Sequence, residues 1–257
     1  MKSFPPVLPL LYTMRRIIRQ LELRSMPFFA IRGSMERTPE PEVMDIEERA
    51  QAYADADFFD VNEAFVDRLA GLAEFSRPAL VADLGTGPAD IALQVASRAP
   101  AWRVIGVDMS LPMLRIGQAR RRESSISNAS LLLTDAKTSA FPSDCFDVVY
   151  SNSLLHHVAK AVDLWREIRR IAKPGARVFV RDLFRPHDAA TAYRIVEQYA
   201  QFEDALLRED FYISLLAAYT AEEIRMQLEE AELAHLSIRI VSDRHLDIFG
   251  TLSRADS

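Results

Sequence analysis

Three aspartates stand at or near the ends of short apolar runs of the kind that form buried parallel strands: Asp83, Asp108 and Asp135. The first is followed closely by Gly85-Thr86-Gly87, and glycines can take positive φ and let a ligand approach the backbone. Asp108 lies 25 residues after Asp83. An acid at the tip of the second strand of such a unit can accept hydrogen bonds from both hydroxyls of a ribose. The pattern therefore predicts a site for a ribose-containing ligand at the carboxyl edge of a parallel sheet.

The elements that must position these groups are a strand, a tight turn and a helix. Pro88 follows the turn, and apolar residues then recur with helical spacing at Ile91, Ala92, Val95 and Ala96. The glycine spacing alone does not decide the ligand, because a full dinucleotide-binding fingerprint has a third glycine where this chain has Asp90. A fourth apolar run, residues 146–150, opens into Ser151-Asn152 and then His156-His157.

Together these segments resemble the class I methyltransferases that use S-adenosylmethionine. The matching stretches, in the family's order, are Asp83-Leu84-Gly85-Thr86-Gly87, Gly106-Val107-Asp108-Met109-Ser110, Asp135-Ala136 and Phe146-Asp147-Val148-Val149-Tyr150-Ser151-Asn152. One departure is Ala89, where many members have a glycine, but alanine is small enough to keep the helix close to the strand. The resemblance implies an α/β fold with a Rossmann-like, doubly wound, seven-stranded sheet. It would be mostly parallel, with an antiparallel C-terminal hairpin, a helical N-terminal extension and a helical insertion after strand 5.

The resemblance also implies S-adenosylmethionine as cofactor and a role for each matched residue. It places Asp83, Gly85, Thr86 and Gly87 around the methionine part of the cofactor. Asp108 would hold the ribose and Met109 would pack on the adenine. Asp135 would face the adenine amino group with Ala136 beside it, and Asn152 would lie near the methionine amine. The alternatives are strand-end acids that cap neighbouring helices, a turn role for Asp135 and ordinary packing for Met109.

Composition and charge exclude several function classes. The chain has 257 residues, of which 49% are hydrophobic and 26% charged, as in ordinary globular proteins. The net charge of −6 argues against nucleic acid as the substrate, because phosphate binding needs a basic face. The single Cys145 excludes an intrachain disulfide and fits a reducing, cytoplasmic setting. No metal is expected, because His187, His235 and His245 are scattered and no acid cluster joins them.

The predicted domains are a basic N-terminal extension and linker over residues 1–40 and a methyltransferase domain over 41–257. Residues 1–33 carry six basic residues against Glu22, and Met14, Ile17, Ile18 and Leu21 have helical spacing. This short amphipathic helix is neither a secretory signal nor a membrane span. It could dock on the domain, contact a membrane surface weakly or contact a partner subunit. A homodimer is one possible assembly.

The acceptor side is predicted from residues that follow the strands or precede the first one. His156 and His157 lie after the fourth strand, where one could serve as a general base, or the pair could orient the loop. Tyr53 and Phe58, on helices ahead of the first strand, are candidates to cover the pocket, with plain helix packing as the alternative. Arg185 could meet an acidic acceptor or pair with Asp182 or Glu203. Tyr212 belongs to a lid-like helical insertion, residues 187–219, and could contact the acceptor or lie in the core.

The expected function is methyl transfer to a small, apolar, aromatic or thiol acceptor by in-line displacement in a pocket covered by helices. Such a reaction needs positioning and exclusion of water more than acid chemistry. The motif style is similar to that of ubiquinone and menaquinone methyltransferases. The alternatives are a non-catalytic S-adenosylmethionine-binding subunit, a nucleic-acid methyltransferase and a nicotinamide oxidoreductase. The Asn-Pro-Pro-Tyr type motif of nucleic-acid methyltransferases is absent from this chain after the fourth strand. An arsenite methyltransferase is disfavoured by the single cysteine.

Overall fold

Seven strands form one sheet in the computed structural model, which describes residues 35–253 apart from 42 and 44. The strands are β1 (Ala79–Leu84), β2 (Trp102–Asp108), β3 (Ala129–Leu133), β4 (Phe146–Asn152), β5 (Ala172–Leu183), β6 (Ser237–Ile240) and β7 (His245–Thr251). Their order across the sheet is β3-β2-β1-β4-β5-β7-β6. The first five strands run parallel, and β7 runs antiparallel to both β5 and β6. The predicted mostly parallel sheet with an antiparallel C-terminal hairpin is confirmed.

Eight α-helices accompany the sheet in the described residues. They are α1 (Glu47–Asp55), α2 (Phe59–Ala70), α3 (Asp90–Arg98), α4 (Leu111–Glu123), α5 (Ala161–Ile171), α6 (Ala189–Tyr199), α7 (Ala205–Ala217) and α8 (Ala221–Glu230). A short 3₁₀ turn, Leu155–His157, follows β4. A capping box of Thr220 and Glu223 opens α8 with both of its hydrogen bonds formed. The helical insertion predicted over residues 187–219 contains α6 and α7.

The core lies on both faces of the sheet. On one face, α5 and α8 bury a cluster that includes Trp165, Ile168 and Leu228. On the other face, α2 and α3 bury a cluster that includes Phe65 and Val95. Both faces are covered, so the central strands are apolar on both sides, which is why they appear in the sequence as short continuous apolar runs.

The parallel register brings the ends of neighbouring strands together. Asp83 of β1 pairs with Gly106 of β2 and with Tyr150 of β4. Asp108, the last residue of β2, pairs with Leu133 of β3. Because all these strands point the same way, their carboxyl ends form one edge of the sheet, and the loops that follow them share it.

The insertion packs over this edge. Helix α7 contacts α1 and the 155–157 turn, and the side chains of Arg49 on α1 and Asp210 on α7 form an ion pair. A third apolar cluster, which includes Leu183, Ile195 and Leu215, joins α6 and α7 to the end of β5. The insertion is thus held to the domain by its own small core and covers the carboxyl edge beside β4 and β5.

Residues 35–41, called the strap below, run against the insertion and the β4 loop. The Met35 N–H donates to the His187 carbonyl, and the Thr38 N–H donates to the Leu216 carbonyl. Arg37 donates to the carbonyls of Ala217, His156 and Val158 and lies 4.0 Å from the Tyr219 ring centroid. The domain boundary expected at residue 40 stays a prediction, but these described residues before it are bound to the domain.

Part of the predicted organisation lies outside the described residues. The amphipathic helix predicted around residues 14–21 falls in this part of the chain. Its predicted docking on the domain and its predicted contacts with a membrane surface or a partner subunit therefore stay predictions. Within the described residues, none of the helices combines the length and the apolar character needed to cross a bilayer. The cytoplasmic setting and the homodimer stay predictions.

Candidate active site

Asp83, the glycine turn and Asp108 lie together at the carboxyl edge of β1 and β2, at a place called the crevice below. The Thr86 hydroxyl donates to Asp83 Oδ2 at 2.7 Å. The Gly87 N–H donates to Asp108 Oδ2 at 2.8 Å, and the Ser110 N–H donates to Asp108 Oδ1 at 2.8 Å. The Gly85 and Thr86 N–H groups both donate to the Val107 carbonyl at 2.9 Å. The turn after β1 is therefore tied directly to the end of β2, as the spacing of the two acids predicts.

The turn needs glycine at two places for different reasons. Gly85 has φ +73°, and a Cβ there would lie 2.8 Å from the Leu154 side chain. Gly87 has φ +53°, and a Cβ there would enter open space, which is where a ligand can approach the backbone. Ala89 also has positive φ, +66°, and is fully buried. A Cβ at Gly117 of α4 would lie 2.9 Å from the Ala89 Cβ, so the two small residues let α4 pack against the turn.

The two acids of this crevice are hard to ionise without a partner. Burial raises the pKa of Asp83 to about 7, and the nearby Asp108 carboxylate adds to the rise while the Thr86 hydroxyl opposes it. Burial also raises the pKa of Asp108, against the hydrogen bonds from Ser110 and Gly87. A positively charged ligand would stabilise both carboxylates in their ionised form. The crevice thus favours a cation.

The residues predicted for the adenine end lie at the same edge. Met109 follows Asp108 and is 42% exposed, unusual for a large apolar side chain and suited to covering by a flat ring. Asp135 accepts from the Lys137 N–H at 2.8 Å and pairs with the Lys137 ammonium at 3.1 Å, which supports the turn role that was open for it. Ala136 is buried beside it. Asn152 ends β4 and donates to the Ser153 hydroxyl at 3.2 Å.

Tyr53 and Phe58 lie over the crevice from α1 and the start of α2. Their ring centroids are 5.0 Å apart. Burial raises the pKa of Tyr53 to about 12, and Asp90, Asp108 and Asp182 add to the rise. The Tyr53 hydroxyl is therefore within electrostatic reach of the acids that end β2 and β5. Arg120 of α4 fixes this cover, since it donates to the Ala54 carbonyl and to Asp90.

His156 and His157 form a cluster with two acids. His156 Nδ1 lies 2.5 Å from Asp182 Oδ1, and Asp182 also accepts from the Leu155 and Leu183 N–H groups. His156 Nε2 lies 3.6 Å from Glu40 Oε1, and His157 Nδ1 lies 3.3 Å from the same oxygen. The second oxygen of Glu40 accepts from Ser214 of α7 at 3.4 Å. The strap, the β4 loop, β5 and α7 meet at this cluster.

Burial and charge set the protonation of the cluster. Burial lowers the pKa of His156, but the carboxylates of Asp182 and Glu40 outweigh it and the net shift is upward. Burial lowers the pKa of His157 far below its usual value, and His156 lowers it further. Burial raises the pKa of Glu40, and His156 opposes the rise.

The structure corrects the interpretation of Arg185. Its guanidinium donates to the Met35 and Ala218 carbonyls at 2.8 and 2.9 Å and pairs with Glu223 at 2.6 Å. Neither Asp182 nor Glu203 is its ion-pair partner, and these contacts give Arg185 a structural role in place of the predicted acceptor contact. Tyr212 is half-buried and packs against the apolar cluster of α6 and α7, as the core alternative predicted.

Sequence reasoning missed Glu40 and underestimated Asp182. Glu40 lies in a stretch that its composition identifies only as a linker, and no periodic pattern marks it. Asp182 could have been found, because it ends a strand that neighbours β4 in a parallel sheet. The scattered histidines His187, His235 and His245 predict no metal site, whereas Glu40 lies beside the adjacent pair His156 and His157.

Comparison with known proteins agrees with this geometry. Residues 81–175 match a family described as a methyltransferase domain. A demethylmenaquinone methyltransferase from Thermus thermophilus is 32% identical over 133 residues, 51% of this chain and 60% of that protein. A malonyl-[acyl-carrier protein] O-methyltransferase from Legionella pneumophila is 27% identical over 146 residues, 55% of this chain and 50% of that protein. The chain spans about half the length of the curated relatives it matches.

A solved structure supports the fold. It is the phosphoethanolamine N-methyltransferase 2 of Haemonchus contortus in complex with phosphomonomethylethanolamine and S-adenosylhomocysteine. Its TM-score is 0.61 at 17% identity, over 81% of this chain and 58% of that chain. The matched region, residues 81–175, contains Asp83, Asp108 and Asp135, so this part of the chain is similar to a methyltransferase domain, and the sheet has the fold of an S-adenosylmethionine-dependent methyltransferase.

Proposed function

We propose that this protein transfers a methyl group from S-adenosylmethionine to a small acceptor bound beside the 155–157 turn. The observation that carries the proposal is the pinned carboxylate of Asp108. Its two oxygens accept from Gly87 and Ser110 at the open side of the glycine turn, which leaves lone pairs for the hydroxyls of a ribose.

The residues of the crevice fit this cofactor. The open space at Gly87 admits a ligand against the backbone, and the exposed Met109 side chain offers an apolar surface for a base. The raised pKa values of Asp83 and Asp108 favour a ligand with positive charge, and S-adenosylmethionine carries both a sulfonium and an ammonium group. We infer that Asp83, Gly85, Thr86 and Asn152 face its methionine part.

When bound, the cofactor supplies a methyl group on a positively charged sulfur that is already a good leaving group. The work left to the protein is to hold the acceptor in line and to exclude water. Tyr53 and Phe58 from one side, α7 from another and the strap from a third enclose the space beside the β4 loop. These elements would order the acceptor rather than activate the cofactor.

The acceptor is proposed to be a small apolar or aromatic molecule. The support is the aromatic pair on the cover, Tyr53 and Phe58. The demethylmenaquinone methyltransferases among the relatives are named for a quinone, but another relative is an O-methyltransferase of a protein-bound malonyl group. The methylated atom is therefore left to experiment.

The test is a panel of quinols, phenols, thiols and carboxylic acids incubated with the full chain and S-adenosylmethionine, with S-adenosylhomocysteine measured as the common product. Formation of that product with an aromatic or apolar acceptor would support the proposal. Calorimetric binding of S-adenosylhomocysteine with no turnover on any class would favour the alternative of a non-catalytic binding subunit. No binding at all would contradict both.

A further inference from the structure

We propose that Glu40, His156 and His157 form a binding site for a divalent first-row cation of the Zn²⁺ type. Two imidazole nitrogens and one carboxylate oxygen are a donor set that such ions accept. The three donor atoms lie within 4.8 Å of one another. They are His156 Nε2, His157 Nδ1 and Glu40 Oε1.

The distances between donors match a tetrahedral ion. With metal–ligand bonds of about 2.0–2.2 Å, the donors of a tetrahedral site lie about 3.3–3.6 Å apart. Glu40 Oε1 lies 3.3 Å from His157 Nδ1 and 3.6 Å from His156 Nε2. Both separations are those expected of neighbouring ligands around one ion.

Two of the donors are buried without a hydrogen-bond partner. Glu40 Oε1 and His157 Nδ1 are inaccessible to solvent, and within residues 35–253, apart from 42 and 44, neither atom has a hydrogen-bond partner of normal geometry. The Glu40 side chain is only 8% exposed. A buried carboxylate oxygen left in this state costs free energy, and a cation bound between the three donors would satisfy both atoms at once.

A second carboxylate already orients one ligand. Asp182 holds His156 Nδ1 at 2.5 Å, so Nε2 is the nitrogen that faces Glu40. A carboxylate that binds the far nitrogen of a histidine ligand is the usual support of a zinc site, since it fixes the ring and raises its basicity. Glu40 and Asp182 bring two negative charges to the cluster, and Arg37, which donates to backbone carbonyls, adds one positive charge near His156.

The proposed ion would connect the strap to the active site. Glu40 comes from residues 35–41 and the histidines from the turn after β4, so cation binding would hold the strap over the acceptor side. If the proposed function holds, on which this step rests, the ion's open position would lie beside the acceptor and could polarise an acceptor oxygen or sulfur. Both histidines would then be ligands rather than bases.

The experiment titrates the metal-free full chain with Co²⁺, which replaces Zn²⁺ in such sites and absorbs visible light when bound by nitrogen and oxygen donors. We expect one saturable equivalent that Zn²⁺ displaces. Glu40→Gln and His157→Ala should each weaken Co²⁺ binding at least 10-fold. His187→Ala, which removes an exposed histidine outside the cluster, should bind as wild type does.

Two controls keep the outcome decisive. Thermal unfolding and S-adenosylhomocysteine affinity are measured on every variant, so a folding defect is recognised and His157→Ala is replaced by His157→Gln if needed. No saturable Co²⁺ binding, or equal binding in wild type and both ligand variants, would overturn the cation site while leaving the proposed function standing. Saturable Co²⁺ binding without S-adenosylhomocysteine binding would support the cation site and contradict the proposed function.

Discussion

The role of Asp108 can be tested by a substitution that removes the charge of its side chain and leaves the volume almost unchanged. In Asp108→Asn the amide keeps one acceptor oxygen, whereas the wild-type carboxylate accepts from both Gly87 and Ser110 at 2.8 Å. One of these backbone N–H groups would then face an NH₂ group. The hydrogen bonds to a bound ribose would also lose their charge, and charge-assisted bonds are roughly twice as strong as neutral ones.

The magnitude follows from these contacts. The loss of charge assistance should weaken cofactor binding by about 1–3 kcal/mol, which corresponds to a rise in Kd of roughly 5- to 150-fold. The unsatisfied backbone N–H should lower the free energy of unfolding by about 1–3 kcal/mol. Both effects act through one side chain at the edge where the cofactor is proposed to bind.

The assay is calorimetric titration with S-adenosylhomocysteine, with chemical denaturation run on the same samples. The matched control is Asp147→Asn. Asp147 also accepts a backbone N–H, that of Leu80 at 2.9 Å, but it lies at the opposite, amino end of β4. Unchanged affinity in Asp108→Asn would refute the ribose assignment, and an equal loss in Asp147→Asn would show that the effect is not local.

Asp83→Asn should stabilise the ligand-free protein at pH 8 by about 1–4 kcal/mol, because the buried carboxyl has a pKa of about 7 in the folded state. The stabilising contribution of wild-type Asp83 is complete below pH ~4 and is lost as the pH rises through about 7, so wild type should lose more stability than the variant between about pH 4 and pH 8. Gly117→Ala should destabilise the protein although alanine favours helices by ~1 kcal/mol, since its Cβ would lie 2.9 Å from that of Ala89. Arg185→Ala should lower the free energy of unfolding by about 2–4 kcal/mol and raise the acceptor KM only together with this loss of stability, because its partners are structural.

Each of these outcomes has its own check. Denaturation curves collected across the pH range test Asp83, and equal slopes for wild type and variant would rule out the raised pKa. Gly71→Ala is the control for Gly117, because a Cβ at Gly71 would meet its nearest atom at an ordinary 3.4 Å. For Arg185, a higher acceptor KM at unaltered stability would restore the original acceptor role.

The cofactor side could be predicted because it depends on short-range rules. Apolar runs that end in acids define the strands β1 to β3, and parallel strands bring those acids to one edge whatever the loops between them do. Asp83, Gly87 and Asp108 therefore meet as expected. Ala89 was interpreted correctly as small enough for close packing, but its left-handed backbone could not be read from an alanine, which rarely adopts it.

The acceptor side was harder because it depends on long-range contacts. Glu40 reaches the histidines through the path of the strap, which Arg37 and Arg185 fix by bonds to carbonyl groups. Any residue can supply a backbone carbonyl, so hydrogen bonds to carbonyls cannot be predicted from the type of the accepting residue. For the same reason the sequence leaves Arg185 open between an acidic acceptor and an ion pair with Asp182 or Glu203, whereas its charge is used for two backbone carbonyls and an ion pair with Glu223.

The contact between Ala89 and Gly117 has a consequence for how this protein can vary. There is room for about one methyl group between the turn and α4, and the Cβ of Ala89 in the turn occupies that room. Moving that methyl across the contact, in the double variant Ala89→Gly with Gly117→Ala, should recover part of the stability that Gly117→Ala loses alone. It would also remove an alanine from a glycine-like conformation. The two positions should therefore change as a pair, and the recovery should be partial because a Cβ at position 117 would still lie 3.0 Å from the Leu131 side chain and 3.1 Å from the Pro88 backbone.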